Sequence, residues 1–194
     1  MADPNSILND LPGFPQLQGP RIRLRGPSED DAPAIFELFS DPAVMRYWSS
    51  TPMRELAQAE GRIAEILDGF TQRRLINWVV VDRRDAVIGT CTLYNFVARH
   101  RRAELGYALR SDCWGKGLAR EAATLAIDWA FRTLGLHRIE ADIDPRNEAP
   151  RKTLERLGFA SEGVMRQRFF IGDDATDSEI FGLLAGDWAA VRHA

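Results

Sequence analysis

The stretch AELGYALRSDCWGKGLAREA, Ala103 to Ala122, decides the fold. AELGYALR (Ala103 to Arg110) reads as a strand, SDCWGKG as a turn, and the residues from Leu118 onward as a helix with Leu118, Ala122, Leu125 and Trp129 on one side, stopped by Gly135. HRIEADID (His137 to Asp144) is the next strand, so the strand-helix-strand unit is parallel and right-handed. Gly115 and Gly117 sit where strand hands over to helix. Glycines there permit positive φ and close approach of backbone N–H groups to an anion, and the helix start adds orphan donors and partial positive charge. A diphosphate is the natural guest, although on the motif alone a plain tight turn reads equally well.

The charges around this turn favour the anion. Helix first turns attract acids, yet Lys116 and Arg120 stand at this one, and Arg151 and Lys152 follow Pro150 at the start of a later short helix. Four cations at two positive helix ends are misplaced unless an anion binds; the alternative is a solvated basic surface partly offset by Glu121 and Glu148.

Working outward, RIRLR (Arg21 to Arg25) is a short strand, and Ser28 with Asp31 resembles a capping box opening a helix with Ile35, Leu38 and Phe39 inward. Asp41-Pro42 ends it. A second helix spans about Pro52 to Gln72, carrying Leu56, Ile63, Ile66, Leu67 and Phe70. INWVVVD (Ile76 to Asp82) and AVIGTCTLYNF (Ala86 to Phe96), joined by Arg83-Arg84-Asp85, form a hairpin that Ala103 to Arg110 extends into an antiparallel meander. After Asp144 come a turn, the short helix closed by Gly158, and a final strand pair, Gly163 to Ile171 and Ser178 to Leu184, straddling GDDATD. The class is α+β, one layered domain over residues 21–194, preceded by a flexible Pro-rich arm, residues 1–20.

The chain has 194 residues, 45% hydrophobic and 27% charged, with formal net charge −3, which excludes collagen-like, coiled-coil and disordered classes and gives no global attraction to nucleic acid or anionic membrane. Its two cysteines, Cys91 and Cys113, lie in no zinc-ligand spacing and suit a reducing cytosol, so no metal is expected. The acidic, Pro-rich start is unlike a signal peptide, and no apolar run approaches membrane-spanning length; a cytoplasmic protein is expected. No Walker-type loop occurs, and Arg120 and Glu121 occupy the third-glycine region of a dinucleotide fingerprint.

The blocks Ala103 to Ala122 and DPRNEAPRKTLERLGF (Asp144 to Phe159), supported by DPAVMRYW (Asp41 to Trp48) and VIGTCTL (Val87 to Leu93), resemble the GNAT superfamily of acyl-CoA N-acyltransferases, within it the RimJ/RimL-like branch. The resemblance implies a mixed central sheet splayed between its fourth and fifth strands, with helices on both faces and acetyl-CoA as co-substrate in the gap. It implies that Leu109, Arg110 and Ser111 hold the pantetheine arm, that Gly115, Lys116, Gly117, Leu118, Ala119 and Arg120 hold the diphosphate with Arg151 and Lys152 nearby, and that Asn147 contacts the arm. Asp112 departs from the Gln or Arg common at the start of the loop motif.

Acetyl transfer to an amine needs a deprotonated nucleophile and a donor for the developing oxyanion. Glu104, in the strand leading to the cofactor, is the candidate base, against the alternative that it points outward and is solvated. The resemblance implies a backbone N–H near Leu109 as the oxyanion donor. Relatives commonly read N-x-x-S where Asn147 is here followed by Pro150, so no dedicated acid is expected; a thiol of pKa near 8.5 leaves tolerably without one. The resemblance implies that the acceptor, a small-molecule amine or a protein N-terminus, meets Arg46, Tyr47, Trp48, Ser49 and Ser50, with Met165, Arg166, Arg168 and Phe169 opposite. Arg99 to Arg102 form a basic turn, and neither His137 nor His193 has a catalytic partner. A catalytically silent acyl-CoA-binding module and a nucleotide or nucleic-acid binder are the competing classes, and the enzyme is expected as a monomer or homodimer.

Overall fold

The computed structural model describes residues 8–193. Among the described residues, eight strands form one sheet in the order β1-β2-β3-β4-β5-β6-β8-β7. They are β1 (Leu17–Gln18), β2 (Arg23–Arg25), β3 (Leu75–Val81), β4 (Val87–Val97), β5 (Arg102–Leu109), β6 (Arg138–Ile143), β7 (Ala160–Ile171) and β8 (Asp174–Leu184). Six helices flank it: α1 (Ala32–Ser40), α2 (Pro42–Met45), α3 (Leu56–Thr71), α4 (Leu118–Arg132), α5 (Glu148–Arg156) and α6 (Ala185–His193). Because side chains alternate along a strand, the β-branched run of β3 serves two cores. Ile76, Trp78 and Val80 face α4, whose Ala122, Ala123, Ala126 and Ala130 let it lie close to the sheet; Val79 and Val81 face α1 and α3 with Ile35, Phe39 and Ile63. This is the mixed α+β arrangement the sequence implies.

The sheet is antiparallel except between β5 and β6, and there it opens. Parallel register runs through Arg102↔Arg138, Ala103↔Ile139 and Glu104↔Glu140 and then stops, although β5 continues to Leu109 and β6 to Ile143. Each strand keeps its other neighbour: β5 stays paired with β4 as far as Gly89↔Leu109, and β6 with β8 as far as Ile143↔Glu179. The result is a wedge in mid-sheet with α4 starting at its mouth.

Three readings of the sequence need correction. Residues 8–20 are not a loose arm: Leu8 is buried, Phe14 stacks on Phe70 at 3.9 Å, the Trp78 indole N–H donates to the Pro15 carbonyl at 2.7 Å, and β1 pairs with β2. Residues 1–7 of that stretch lie outside the described residues. The last hairpin is longer than expected, turning on Gly172 and Asp173 alone with Gly172 at φ +62. Its outer part is exposed on both faces, so apolar alternation never marks it. The second helix begins at Leu56, with Gln58 accepting from the Arg54 and Glu55 N–H groups.

The Ser28/Asp31 pair closes a 3-10 turn before α1, the Ser28 N–H donating to Asp31 at 2.8 Å. Asp31 is buried and also accepts twice from Arg25 at 2.8 Å. Burial pushes its carboxyl up, but the Arg25 guanidinium and the Ser28 donors together hold it below the usual carboxylate range. A depressed folded value means that this stabilisation is complete above about pH 4, the ordinary carboxylate range, and drains away as pH falls through the folded value. Asp31→Asn is expected to lower stability by about 2 kcal/mol at neutral pH and to flatten the acid limb of stability below pH 4, checked by urea unfolding across pH; an unchanged acid limb contradicts this.

Candidate active site

In β5 the Arg110 N–H donates to the Ile88 carbonyl, in step with the pairing Gly89↔Leu109. Antiparallel ladders alternate bonded and non-bonded pairs, so Ala108, Gly106 and Glu104 bond toward β4, and the backbone groups of Leu109 and Tyr107 point into the wedge. The Leu109 carbonyl is taken by the Trp114 indole N–H at 2.8 Å. Gly89 lies opposite Leu109 because nothing larger fits: a Cβ there would come within 2.2 Å of the Ala108 carbonyl.

At the mouth, Gly115 and Gly117 adopt φ of +71 and +74, and Gly117 begins α4 with no side-chain cap. The α4 start therefore presents uncapped N–H groups to the cavity. Glu121, the acid in that first turn, is engaged by Arg21 at 2.7 Å, and Arg21 also donates to the Lys116 carbonyl at 2.8 Å, bracing the loop from behind. Lys116, Arg120 and Lys152 line this end of the cavity together with Arg156. Asn147, at the start of α5, lines it as well.

The side chains of Arg151, Arg110 and Ser111 are engaged outside the cavity. Arg151 does not line the cavity; its guanidinium is bidentate with the buried Glu179, which also accepts from Ser161 at 2.7 Å. Arg110 turns to Asp112 at 3.1 Å and Glu37 at 3.3 Å, and the Ser111 hydroxyl donates to Asp41 at 2.6 Å, so both tie the turn to α1 and α2 instead of facing the wedge. Asp112, whose carboxyl Arg110 holds below its usual range, stays tied to the glycine loop through its carbonyl, which accepts from Lys116 Nζ at 2.7 Å.

One cavity of about 1600 Å³ runs from this cationic end through the wedge and across the opposite face of the sheet. Glu104 lines it, accepting from the Asn95 amide at 3.1 Å. The Tyr94 hydroxyl stands close to Glu104; burial first, then the Asp142 and Glu104 carboxylates, push it well above its ordinary value and keep it protonated. Asp142, across the wedge, accepts from Ser178 at 3.3 Å and lies 3.8 Å from Arg168. Tyr47, Trp48, Ser49, Arg168 and Phe169 line the cavity; Ser50, Met165 and Arg166 do not. Trp48 also packs edge-on against Phe39 at 5.6 Å, so it serves core and cavity alike.

The two expected catalytic residues are separated. Glu104 and Leu109 are five residues apart on an extended strand, about 17 Å, too far for both to touch one reacting centre. The wedge-facing N–H nearer Glu104 belongs to Tyr107, which sequence reasoning missed although strand parity could have found it. Asn77, Arg62 and Asp142 were missed too; Asn77, polar within the otherwise apolar INWVVV, was the available signal. Among the described residues no group of His, Cys, Asp and Glu is placed to hold a metal ion, and no helix is long and apolar enough to cross a membrane.

Residues 21–160 match the Acetyltransferase (GNAT) domain family. The chain is 34% identical over 173 residues, 88% of its length and 97% of the relative's, to the uncharacterized N-acetyltransferase YoaA of Bacillus subtilis. It is 31% identical to the spermidine N(1)-acetyltransferase of Escherichia coli over 77% of this chain and 78% of that one. Among solved structures, the spermidine N-acetyltransferase of Vibrio cholerae in complex with CoA and spermine superimposes with TM-score 0.78 at 25% identity, covering 88% of this chain and 99% of that one. The ribosomal-protein-S5-alanine acetyltransferase of Vibrio fischeri gives 0.76 at 27% identity, covering 90% and 98%. The opened sheet, the glycine loop at its mouth and these matches make one statement: the chain belongs to the GNAT acetyltransferase family.

Proposed function

We propose that this chain transfers an acetyl group from acetyl-CoA to a primary amine by direct attack in a ternary complex, as a RimJ/RimL-like enzyme of the cytoplasm. The observation that carries this reading is one cavity joining an end lined by Lys116, Arg120, Lys152 and Arg156 at the α4 start to a carboxylate, Glu104, at the last paired position before the sheet opens.

The residues fit acetyl-CoA. The amides of Gly115 to Arg120 offer donors to a diphosphate, with Lys116, Arg120 and Lys152 around them. The wedge-facing backbone of Tyr107 and the Leu109 N–H, together with Asn147, offer partners to an amide-bearing arm. Acetyl-CoA supplies an acyl thioester whose thiol, with pKa near 8.5, leaves without a strong acid. Glu104 accepts the proton of the incoming ammonium, directly or through water, while Tyr94 and Asn95 fix its orientation. The Tyr107 N–H is the fixed donor for the acyl oxygen as charge develops on it.

The test is thiol release by the purified protein, with acetyl-CoA and a panel holding spermidine, an alanine-terminated peptide, simple alkylamines and ω-amino acids. Release that requires both acetyl-CoA and a primary amine is expected. Acetyl-CoA binding with no turnover across the panel would instead support the silent acyl-CoA-binding module.

A further inference from the structure

Away from the wedge, the cavity is lined by two polar side chains that carry buried atoms without a partner. Asn77 is 4% exposed, and its Oδ1 makes no hydrogen bond. The Arg62 Nε on α3 is likewise buried and unbonded, and among the described residues the Arg62 guanidinium makes no ion pair within 4.0 Å. It lies 4.3 Å over the Phe39 ring, and Glu65, one turn along α3, attracts it without closing a pair. Both Asn77 and Arg62 line the cavity. Buried polar groups are nearly always bonded, and an orphan costs stability, so a guanidinium without an ion pair and a carboxamide without a hydrogen bond on the lining of one cavity point to a ligand group.

Register says where that group sits. Asn77, Thr92 and Gly106 are directly opposite one another on β3, β4 and β5, a row running straight across the sheet to the edge of the wedge. Gly106 has no side chain of its own, and the Tyr94 ring lies over it, 3.6 Å from where a Cβ would stand. Neighbouring strands are about 4.8 Å apart, so Asn77 lies about 10 Å from the β5 edge.

Resting on the acetyltransferase reading above, we propose that Arg62 and Asn77 form a distal acceptor subsite that selects amines carrying a carbonyl or carboxylate oxygen several bonds from the reacting nitrogen. Arg62 donates to that oxygen and Asn77 bonds to the polar group beside it. The guanidinium repels a second ammonium at this position, so polyamines are poor acceptors for this chain although several of its relatives are named for spermidine.

Calorimetry of the whole protein with saturating CoA tests this by binding, whether or not turnover occurs. The probes are 6-aminohexanoate, an alanyl dipeptide amide, hexylamine and spermidine. Tenfold or tighter binding of 6-aminohexanoate or of the dipeptide amide over hexylamine and spermidine is expected; whichever of the two binds tighter identifies the oxygen as carboxylate or peptide carbonyl, and either supports the subsite. Arg62→Gln should bring the ratio over hexylamine to about one, and Asn77→Ala should reduce it severalfold if Arg62→Gln fails to fold. Hexylamine or spermidine binding as well as the oxygen-bearing probes in the wild type overturns the inference, and so does a preference that survives in both variants. If thiol release fails with every amine while this preference holds, the acetyltransferase reading falls and the subsite stands.

Discussion

Replacing Glu104 with glutamine is expected to lower kcat/KM for the amine by about 10²- to 10⁴-fold at neutral pH, equivalent to about 3 to 5 kcal/mol of transition-state stabilisation. The acceptor is the reason the effect is large. A primary ammonium with pKa near 10 presents only about one part in a thousand as free amine at pH 7. Glutamine keeps the shape and can still accept from Asn95, but it cannot take the proton. The variant therefore depends on the free-amine fraction, and its rate should climb about tenfold per pH unit until the amine's own pKa is approached, narrowing the gap to wild type. Steady-state thiol release across pH checks this. A variant with wild-type rates at pH 7, or a deficit constant at every pH, removes Glu104 from proton transfer.

The second large effect is on stability. Glu179→Ala should cost about 3 to 5 kcal/mol, because it strands the Arg151 guanidinium that now pairs with Glu179 at the junction of α5, β7 and β8. In a chain of this size that lowers Tm by about 10 °C or more. Glu179→Gln keeps acceptors for Arg151 and Ser161 and should lose less than the alanine variant. Thermal unfolding of both variants decides it; a Tm within a degree or two of wild type for Glu179→Ala would show that the pair is not structural and would return Arg151 to the cofactor end.

That second case also shows what the sequence carries and what it does not. The strand, glycine turn and helix from Ala103 to Arg132 are legible because local signals agree: alternation, positive-φ glycines, then helical periodicity. Arg151 was misread because its partner is 28 residues away on another strand, a pairing no local rule anticipates. The packing of residues 8–20 is equally non-local, resting on Phe14 against Phe70 and on Pro15 against Trp78. Arg110 and Ser111 sit in the expected segment, but the 3-10 turn after β5 rotates their side chains toward Asp112, Glu37 and Asp41. The spacing of Glu104 from Leu109 was legible, since strand rise alone puts them beyond each other's reach. Asn77 was legible as an anomaly, a carboxamide amid β-branched residues, though only the fold reveals the cavity it opens on.

The most direct measurement is calorimetric titration of the purified protein with acetyl-CoA, beside CoA, ATP and a short oligonucleotide. Near-stoichiometric binding of acetyl-CoA, competed by CoA and barely affected by ATP or the oligonucleotide, is expected from the wedge and the uncapped start of α4. No heat of binding from acetyl-CoA at high micromolar concentration, or ATP binding that acetyl-CoA does not displace, would contradict a cofactor seat in the opened sheet.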